Sequence, residues 1–455
     1  MDSTPLETIA RWSGGALISG DPRREVTVVC TDSRKLAAGH LFVALRGEKF
    51  DAHTFVAEAA RLGAAAAIVE QITPDLPAGF GVIQVANSLL ALQRLSAGYR
   101  QSLSLKVVGI TGSNGKTSTK DFTAGVLGER FGVTKTEGNF NNHIGLPLTM
   151  LRARGSDQIG VFEIGMNHPG EIAPLAELAR PDVAIITNVG TAHIEFMKTR
   201  EAIALEKGML AEALPDGGTV ILSAKDEFSA SIAARTKAKT VFAGIGAGEV
   251  QASELRAGPT GTSFQLSADG RSVAAAVPVP GEHMVQNALL AAAAGRVFGL
   301  TLEESAAGFK KLSLTKGRLE QKLVRGISIL DDTYNANPDS MAAALRTLAT
   351  LPTKGRRIAV LGAMGELGDE AERGHRSVGE VAARERIDCV ITVGEQATWI
   401  AEAAQGGGVD QVRKTASTEE ATVLLAELAQ PGDLVLVKGS RSAKMERIVE
   451  GLQAA

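Results

Sequence analysis

The chain has 455 residues, more than one ordinary core holds, so roughly three domains of about 150 residues each are expected. A formal net charge of −3 gives no electrostatic reason to expect nucleic acid or an anionic membrane as the main partner. The two cysteines, Cys30 and Cys389, form neither a disulfide framework nor a metal-ligand spacing, which suits a reducing compartment.

In chain order, the first hundred residues read as a small α/β unit. "VTVVCTDSR" and "HLFVAL" predict short strands, and "TFVAEAARLGAAAAIVE" predicts a helix followed by a strand. The opening "MDSTPLETIARW" lacks a basic-then-apolar signal pattern, and no apolar run reaches about 18 residues, so a soluble cytoplasmic protein is expected. From Lys106 the strands "KVVGIT", "GVFEIG", "DVAIITNVG" and "TVILSA" are continuous apolar runs, as in a sheet covered by helices on both faces. "ASELRAGPTGTSFQLS" reads as antiparallel, and "HMVQNALLAAAAGRVFGL" as a long, mostly buried helix. From about Thr315 the alternation restarts with "ISILDDTY", "RRIAVLGAMG", "DCVITVGE" and "DLVLVKGS", separated by helical stretches, which predicts a doubly wound sheet. The expected units are residues 1–103, 104–314 and 315–455, all α/β.

The most informative stretch is "KVVGITGSNGKTSTKDFTAGVL", a strand, a glycine-rich turn and a helix. Gly112 and Gly115 let the backbone approach a ligand closely, and the amides that follow open a helix N-terminus that favours anions. Lys116 can reach outer phosphates, and the Thr117 hydroxyl can bind Mg²⁺. The general pattern G-x-x-x-x-G-K-[ST] is not fully met, because its first glycine falls at Ile110. Glu163 ends one predicted strand and His193 follows another, so both lie on the strand edge where open α/β sheets bind ligands. With Thr117 they form a candidate Mg²⁺ set. Asp332 ends the strand "ISILDD" and is equally well placed, with Asp331 as its rival. In "KGSRS", the residues Lys438, Ser440 and Arg441 can contact a phosphate or a carboxylate.

"TGSNGKT" resembles the loop of the Mur ligase family, which also includes folylpolyglutamate synthases. "TDSR", "ALRGEKFDAH", "TEGNFNNHIGLPLTML", "EIGMNHPGEI", "TNVGTAHIE", "DDTYNANPDSM", "LGAMGELG" and "KGSRS" follow in family order. The resemblance implies a UDP-binding N-terminal domain, a central ATPase-like domain and a Rossmann-like C-terminal domain. "GNFNN" and "DDTYNANPDS" favour the branch that adds D-alanyl-D-alanine.

The resemblance also implies residue roles. Gly112, Ser113, Asn114, Gly115, Lys116, Thr117 and Ser118 would hold ATP, with Asn287 at adenine and Arg318 and Asp332 at phosphate and ribose. Ser33, Arg34, Gly47, Lys49 and Asp51 would hold the UDP end, and Asn141 and Asn142 the sugar nucleotide. Lys438, Ser440 and Arg441 would serve the incoming dipeptide. Thr117, Glu163 and His193 would ligate Mg²⁺, two ions being expected. Lys207, expected on a helix, matches the family's lysine that CO₂ converts to a carbamate, which would supply a further ligand. Glu195 and Glu206 are the next candidates for that position. Lys116, His193 and Lys207 form the expected catalytic set, and Glu366 in "MGELG" has no assigned role.

The reading is an ATP-dependent ligase that joins UDP-N-acetylmuramoyl-tripeptide to D-alanyl-D-alanine through an acyl phosphate. A monomer is expected, with no nucleic acid partner and no membrane insertion. Two other readings stay open: a folylpolyglutamate synthase-like amide ligase, for which a UDP site is superfluous, and a nucleotide-binding switch without catalysis.

Overall fold

The computed structural model describes residues 1–455 apart from Glu48, Lys49, Pro259, Ser313, Leu314 and Ala455. The expected UDP contact Lys49 and the expected boundary at residue 314 therefore lie outside the described residues.

Short β-branched runs become strands where both faces are covered. Val107, Val108 and Ile110 in the strand Lys106–Thr111 are fully buried, as are Val220, Ile221 and Leu222 in Thr219–Ser223. Each such side chain contributes about 1.5–3 kcal/mol on leaving water. Among the described residues these strands belong to a nine-stranded sheet. Its order is Arg271–Val277, Gly261–Ala268, Val250–Gly258, Lys239–Ile245, Thr219–Ser223, Val183–Ile186, Lys106–Thr111, Ile159–Glu163 and Val133–Lys135. All neighbours pair in parallel except across the last hairpin steps, where Gly261–Ala268 runs antiparallel to both Val250–Gly258 and Arg271–Val277. The antiparallel expectation for residues 252–267 thus holds. The expected buried helix is Glu282–Val297, which lies against the helix Lys116–Leu127 and buries an alanine-rich face, Ala288 to Ala294.

A second sheet has the order Glu320–Val324, Ile327–Asp332, Leu434–Lys438, Arg357–Gly362, Cys389–Val393 and Gln411–Thr415, parallel after its first antiparallel pair. Its helix Pro338–Thr350 buries Met341, Leu345 and Leu348 in the same apolar cluster that holds Val108 and Ile185 of the first sheet.

The N-terminal sheet has the order Ala16–Ser19, Gly81–Gln84, Ala66–Val69, Leu41–Val43 and Val29–Cys30. The expected strand in "VTVVCTDSR" is broken into the end of Glu25–Val26, which pairs with Thr4–Pro5, and Val29–Cys30, after which the chain turns into a one-turn helix at Ser33–Lys35 capped by Asp32. This sheet closes a separate core around Leu6, Ile9, Leu92 and Leu95. The helix Ser88–Ser102 carries it against the nine-stranded sheet's neighbourhood, where the Tyr99 hydroxyl donates to the Ala153 carbonyl at 2.7 Å.

Candidate active site

The carboxyl ends of the two parallel sheets open on one cleft of about 1010 Å³. In the nine-stranded sheet, the strand Lys106–Thr111 ends in the turn 112–115 and the helix begins at Lys116. Gly112 (φ 149°) and Gly115 (φ 78°) sit where a side chain is strained and has no room. A Cβ at Gly112 would strike the Thr187 hydroxyl, and one at Gly115 the Asn287 amide. The turn is clamped to the next strand's loop. The Ser113 amide donates to the Asn188 carbonyl at 2.9 Å, the Asn114 amide to Asn188 Oδ1 at 3.0 Å, and the Gly190 amide to Ser113 Oγ at 2.9 Å. The first-turn amides of the helix have no partner within it and open on the cleft. Lys116 Nζ folds back on the Gly112 carbonyl at 2.7 Å. Burial pushes its ammonium below the ordinary lysine value, partly offset by Glu163.

Glu163, at the end of the strand Ile159–Glu163, is 3% exposed. It accepts from the Thr117 hydroxyl at 3.0 Å and from Asn141 Nδ2 at 2.9 Å. Among the described residues no lysine, arginine or histidine nitrogen lies within 4 Å of it. A buried carboxylate held only by neutral donors is a costly arrangement unless a cation joins it. No cluster of three His, Cys, Asp or Glu side chains capable of holding a metal is found among the described residues. The Glu163 carboxylate and the Thr117 hydroxyl are hard oxygen donors side by side on the cleft wall, of the kind that suits Mg²⁺ completing its shell with substrate phosphate and water.

Lys207 lies on the helix Arg200–Glu212, as expected, but inside it: the side chain is 1% exposed. Burial and the nearby charge of Lys116 push its ammonium well below the ordinary lysine value, with a smaller opposing effect of Glu206. Glu206 is occupied, accepting from the amides of Gly170 (2.9 Å) and Ile172 (2.8 Å). His193 stands on the loop after the strand Val183–Ile186 with φ 65°. Its Nδ1 lies 2.5 Å from Glu366 Oε2, a close approach without hydrogen-bond alignment.

The six-stranded sheet supplies the opposite wall. Arg318 Nη2 donates to the Thr117 hydroxyl at 3.0 Å, and its guanidinium carbon sits 4.3 Å from the centre of the Tyr334 ring. Its Nε is buried without a partner. Asp332 lines the cleft and accepts from Lys438 Nζ at 2.6 Å, whereas Asp331 turns away to Lys322 Nζ (2.6 Å) and the Thr333 hydroxyl (2.6 Å). Of the two aspartates, Asp332 is the one that faces the cleft. Lys438 is 3% exposed and held by Asp332 and the Asn335 carbonyl, so Arg441 is the more available cation of "KGSRS". Ser440 also lines the cleft.

Asn287 and Ser118 are buried beside the turn, and Asn287 lines the cleft. Asn141 and Asn142 line it too, but each amide has a structural bond: Asn141 holds Glu163, and Asn142 Oδ1 caps the helix Gly145–Met150 through the Gly145 amide at 2.9 Å. Ser33, Arg34, Gly47 and Asp51 are not brought to this cleft. Arg34 pairs with Asp32 at 2.8 Å, and Asp51 pairs with Arg46 at 3.1 Å.

Sequence reasoning missed the residues that bridge the two sheets. Asn337 Nδ2 donates to Asn114 Oδ1 at 2.7 Å, and Asp339 accepts from the Thr191 amide (2.8 Å) and hydroxyl (3.0 Å). The signal was present in "NPD": an Asn cap followed by proline opens a helix, here Pro338–Thr350. His283, also on the cleft wall, was passed over as well.

Three family models cover most of the chain: "Mur ligase family, catalytic domain" at residues 25–100, "Mur ligase middle domain" at 110–295 and "Mur ligase, glutamate ligase domain" at 317–441. A relative in Bacillus subtilis, UDP-N-acetylmuramoyl-tripeptide–D-alanyl-D-alanine ligase, is 41% identical over 453 residues, 98% of each chain. The chain belongs to the Mur ligase family. Solved Mur ligases share its architecture. A crystal structure of MurF from Acinetobacter baumannii superposes with a TM-score of 0.92 at 34% identity, covering 100% of both chains. The MurF ligase of Thermotoga maritima in complex with ADP superposes at 0.84 with 30% identity, covering 94% of this chain and 97% of that one.

Proposed function

We propose that this Mur ligase joins D-alanyl-D-alanine to UDP-N-acetylmuramoyl-tripeptide at the expense of ATP, in the synthesis of peptidoglycan precursors. The activity named for the Bacillus subtilis relative, matched over nearly the whole of both chains, supports the substrates. The observation that carries the chemistry is the pairing, across one cleft, of a buried carboxylate without a counter-ion (Glu163) and a buried guanidinium donor without an acceptor (Arg318 Nε). One asks for a cation and the other for an anion, which a metal–nucleotide pair supplies together.

In this reading residues 1–103 hold the UDP end through Ser33, Arg34, Gly47, Lys49 and Asp51. Residues 104–314 carry ATP on the turn 112–118 with Asn287 near adenine. Residues 315–455 close over it with Arg318 and Asp332 and receive the dipeptide near Arg441. Thr117, Glu163, His193 and a carbamate on Lys207 would hold Mg²⁺, two ions in all, which lowers the charge cost of phosphoryl transfer. The buried Lys207 favours the neutral amine that carbamate formation requires. Lys116 leaves the Gly112 carbonyl to follow the γ-phosphate, where its charge counts most in the transition state. The tripeptide's terminal carboxylate attacks that phosphorus and ADP leaves. The dipeptide amine then attacks the acyl carbon, giving an amide and phosphate. The contacts of Asn337 and Asp339 would hold the two walls together around the acyl phosphate and limit the water that could hydrolyse it.

A monomer acting in the cytoplasm fits this role; among the described residues no helix is long and apolar enough to cross a membrane. The test is ADP release with UDP-N-acetylmuramoyl-tripeptide, with and without D-alanyl-D-alanine. Release that needs both substrates supports the ligase. Binding of ATP without such turnover points to the switch reading, and turnover with a folate and glutamate to the folate-ligase reading.

A further inference from the structure

His193 and Glu366 meet from different sheets. His193 follows the strand Val183–Ile186, and Glu366 follows Arg357–Gly362. Beyond the 2.5 Å approach of Nδ1 to Oε2, the Glu195 amide donates to the Glu366 carbonyl at 3.2 Å, and a Cβ on Gly368 would press on the Glu195 side chain. The two loops therefore touch along their backbones as well as through these side chains.

Both residues adopt left-handed backbone, φ 65° at His193 and φ 60° at Glu366. Glycine, or less readily asparagine, takes that conformation at lower cost. Glutamate gains nothing there from the backbone, so its place in a strained turn, with its carboxylate against His193, points to work done by that carboxylate. A histidine that ligates a metal through one ring nitrogen commonly donates the other N–H to a carboxylate, which fixes its tautomer and its aim. With Nδ1 facing Glu366, Nε2 is the nitrogen left for the cleft.

We infer that Glu366 is a positioning residue that orients His193 from across the domain boundary, so that the cation site is complete only when the two sheets are closed on each other. This rests on the reading of His193 as a metal ligand. It gives "MGELG" a role, and it makes metal binding and closure reciprocal: whatever favours one favours the other by the same factor.

The experiment is Mn²⁺ binding in the presence of ADP, followed by electron paramagnetic resonance, on the full-length chain and on Glu366→Gly, Glu366→Gln and His193→Ala. Glu366→Gly suits the left-handed backbone, so it should melt no lower than the wild type while losing about 10- to 100-fold in Mn²⁺ affinity. Glu366→Gln keeps an acceptor oxygen and should lose less. Unchanged affinity in Glu366→Gly, beside a weakened His193→Ala, overturns the positioning role alone. A Glu366→Gly protein that melts lower and binds less overturns it too, since that is the mark of a structural residue. Wild-type protein that binds no Mn²⁺ with ADP, or a His193→Ala protein that binds normally, overturns the metal reading of His193 and this inference with it.

Discussion

Arg318 Nη2 donates to the Thr117 hydroxyl at 3.0 Å, so a side chain of the six-stranded sheet touches the first helical turn of the nine-stranded one. The same hydroxyl donates to Glu163. Thr117 thus stands between a carboxylate that lacks a cation and a guanidinium with a spare donor, and Lys116 is its neighbour in the chain.

Lys116→Ala should fold normally and lose about a hundred- to thousand-fold or more in turnover, the scale of removing one preorganised electrostatic contact from a transition state. Steady-state ADP release and a melting curve measure the two halves of this statement. A folded variant with near-normal turnover places the phosphate elsewhere.

Asp339→Ala removes two bonds to Thr191 across the cleft. A loss of about 1–2 kcal/mol shifts the closed-to-open ratio about five- to thirty-fold. Small-angle scattering of the free variant should show a larger radius of gyration than the wild type, with nucleotide and UDP-substrate together restoring compaction. Identical scattering of both proteins in both conditions contradicts the proposed closure of residues 315–455 over the nucleotide.

Lys207→Ala should lose about a hundred-fold or more in turnover. Acetate at high concentration should restore part of it by placing a carboxylate where the proposed carbamate would stand. Lys207→Arg should resist rescue, because a permanent cation remains in the pocket. Full activity of Lys207→Ala moves the ligand role to another residue, with Glu195 first, since Glu206 is already spent on two amides.

His283 sets an acid limit on stability. Burial pushes its imidazole down to about 4 from an ordinary 6.5; Asp332 opposes this, while Lys438 and Arg346 add to it. Between these values the unfolded chain binds a proton that the folded chain refuses, so stability rises with pH across the window. It is fully present above about 6.5 and is lost as pH falls toward about 4. His283→Gln should flatten the fall of Tm over that range. An unchanged slope assigns the acid sensitivity to other groups.

The glycine-rich turn was legible because every part of it is local: a β-branched strand, two glycines, Lys116, Thr117 and a helix follow in sequence. Glu163 and His193 were legible as strand-end residues of a parallel sheet. What they touch was not. The bond from Asn141 to Glu163 depends on how the loop 137–143 folds back, which no local pattern shows. Lys207 looked like any helix lysine until packing of the helix Arg200–Glu212 buried it. The pairing of Lys438 with Asp332, which leaves Arg441 as the freer cation, required the register of Ile327–Asp332 against Leu434–Lys438. Contacts between sheets, such as Asn337 with Asn114, carry no periodicity at all and appear only when the two domains are set side by side.

The most direct measurement follows the oxygen atoms. If the tripeptide's terminal carboxylate attacks the γ-phosphate, a substrate labelled with ¹⁸O in that carboxylate should yield phosphate carrying one ¹⁸O per amide formed, read by mass spectrometry. Amide formation with unlabelled phosphate would contradict the acyl-phosphate route and the placing of the substrate carboxylate beside Lys116.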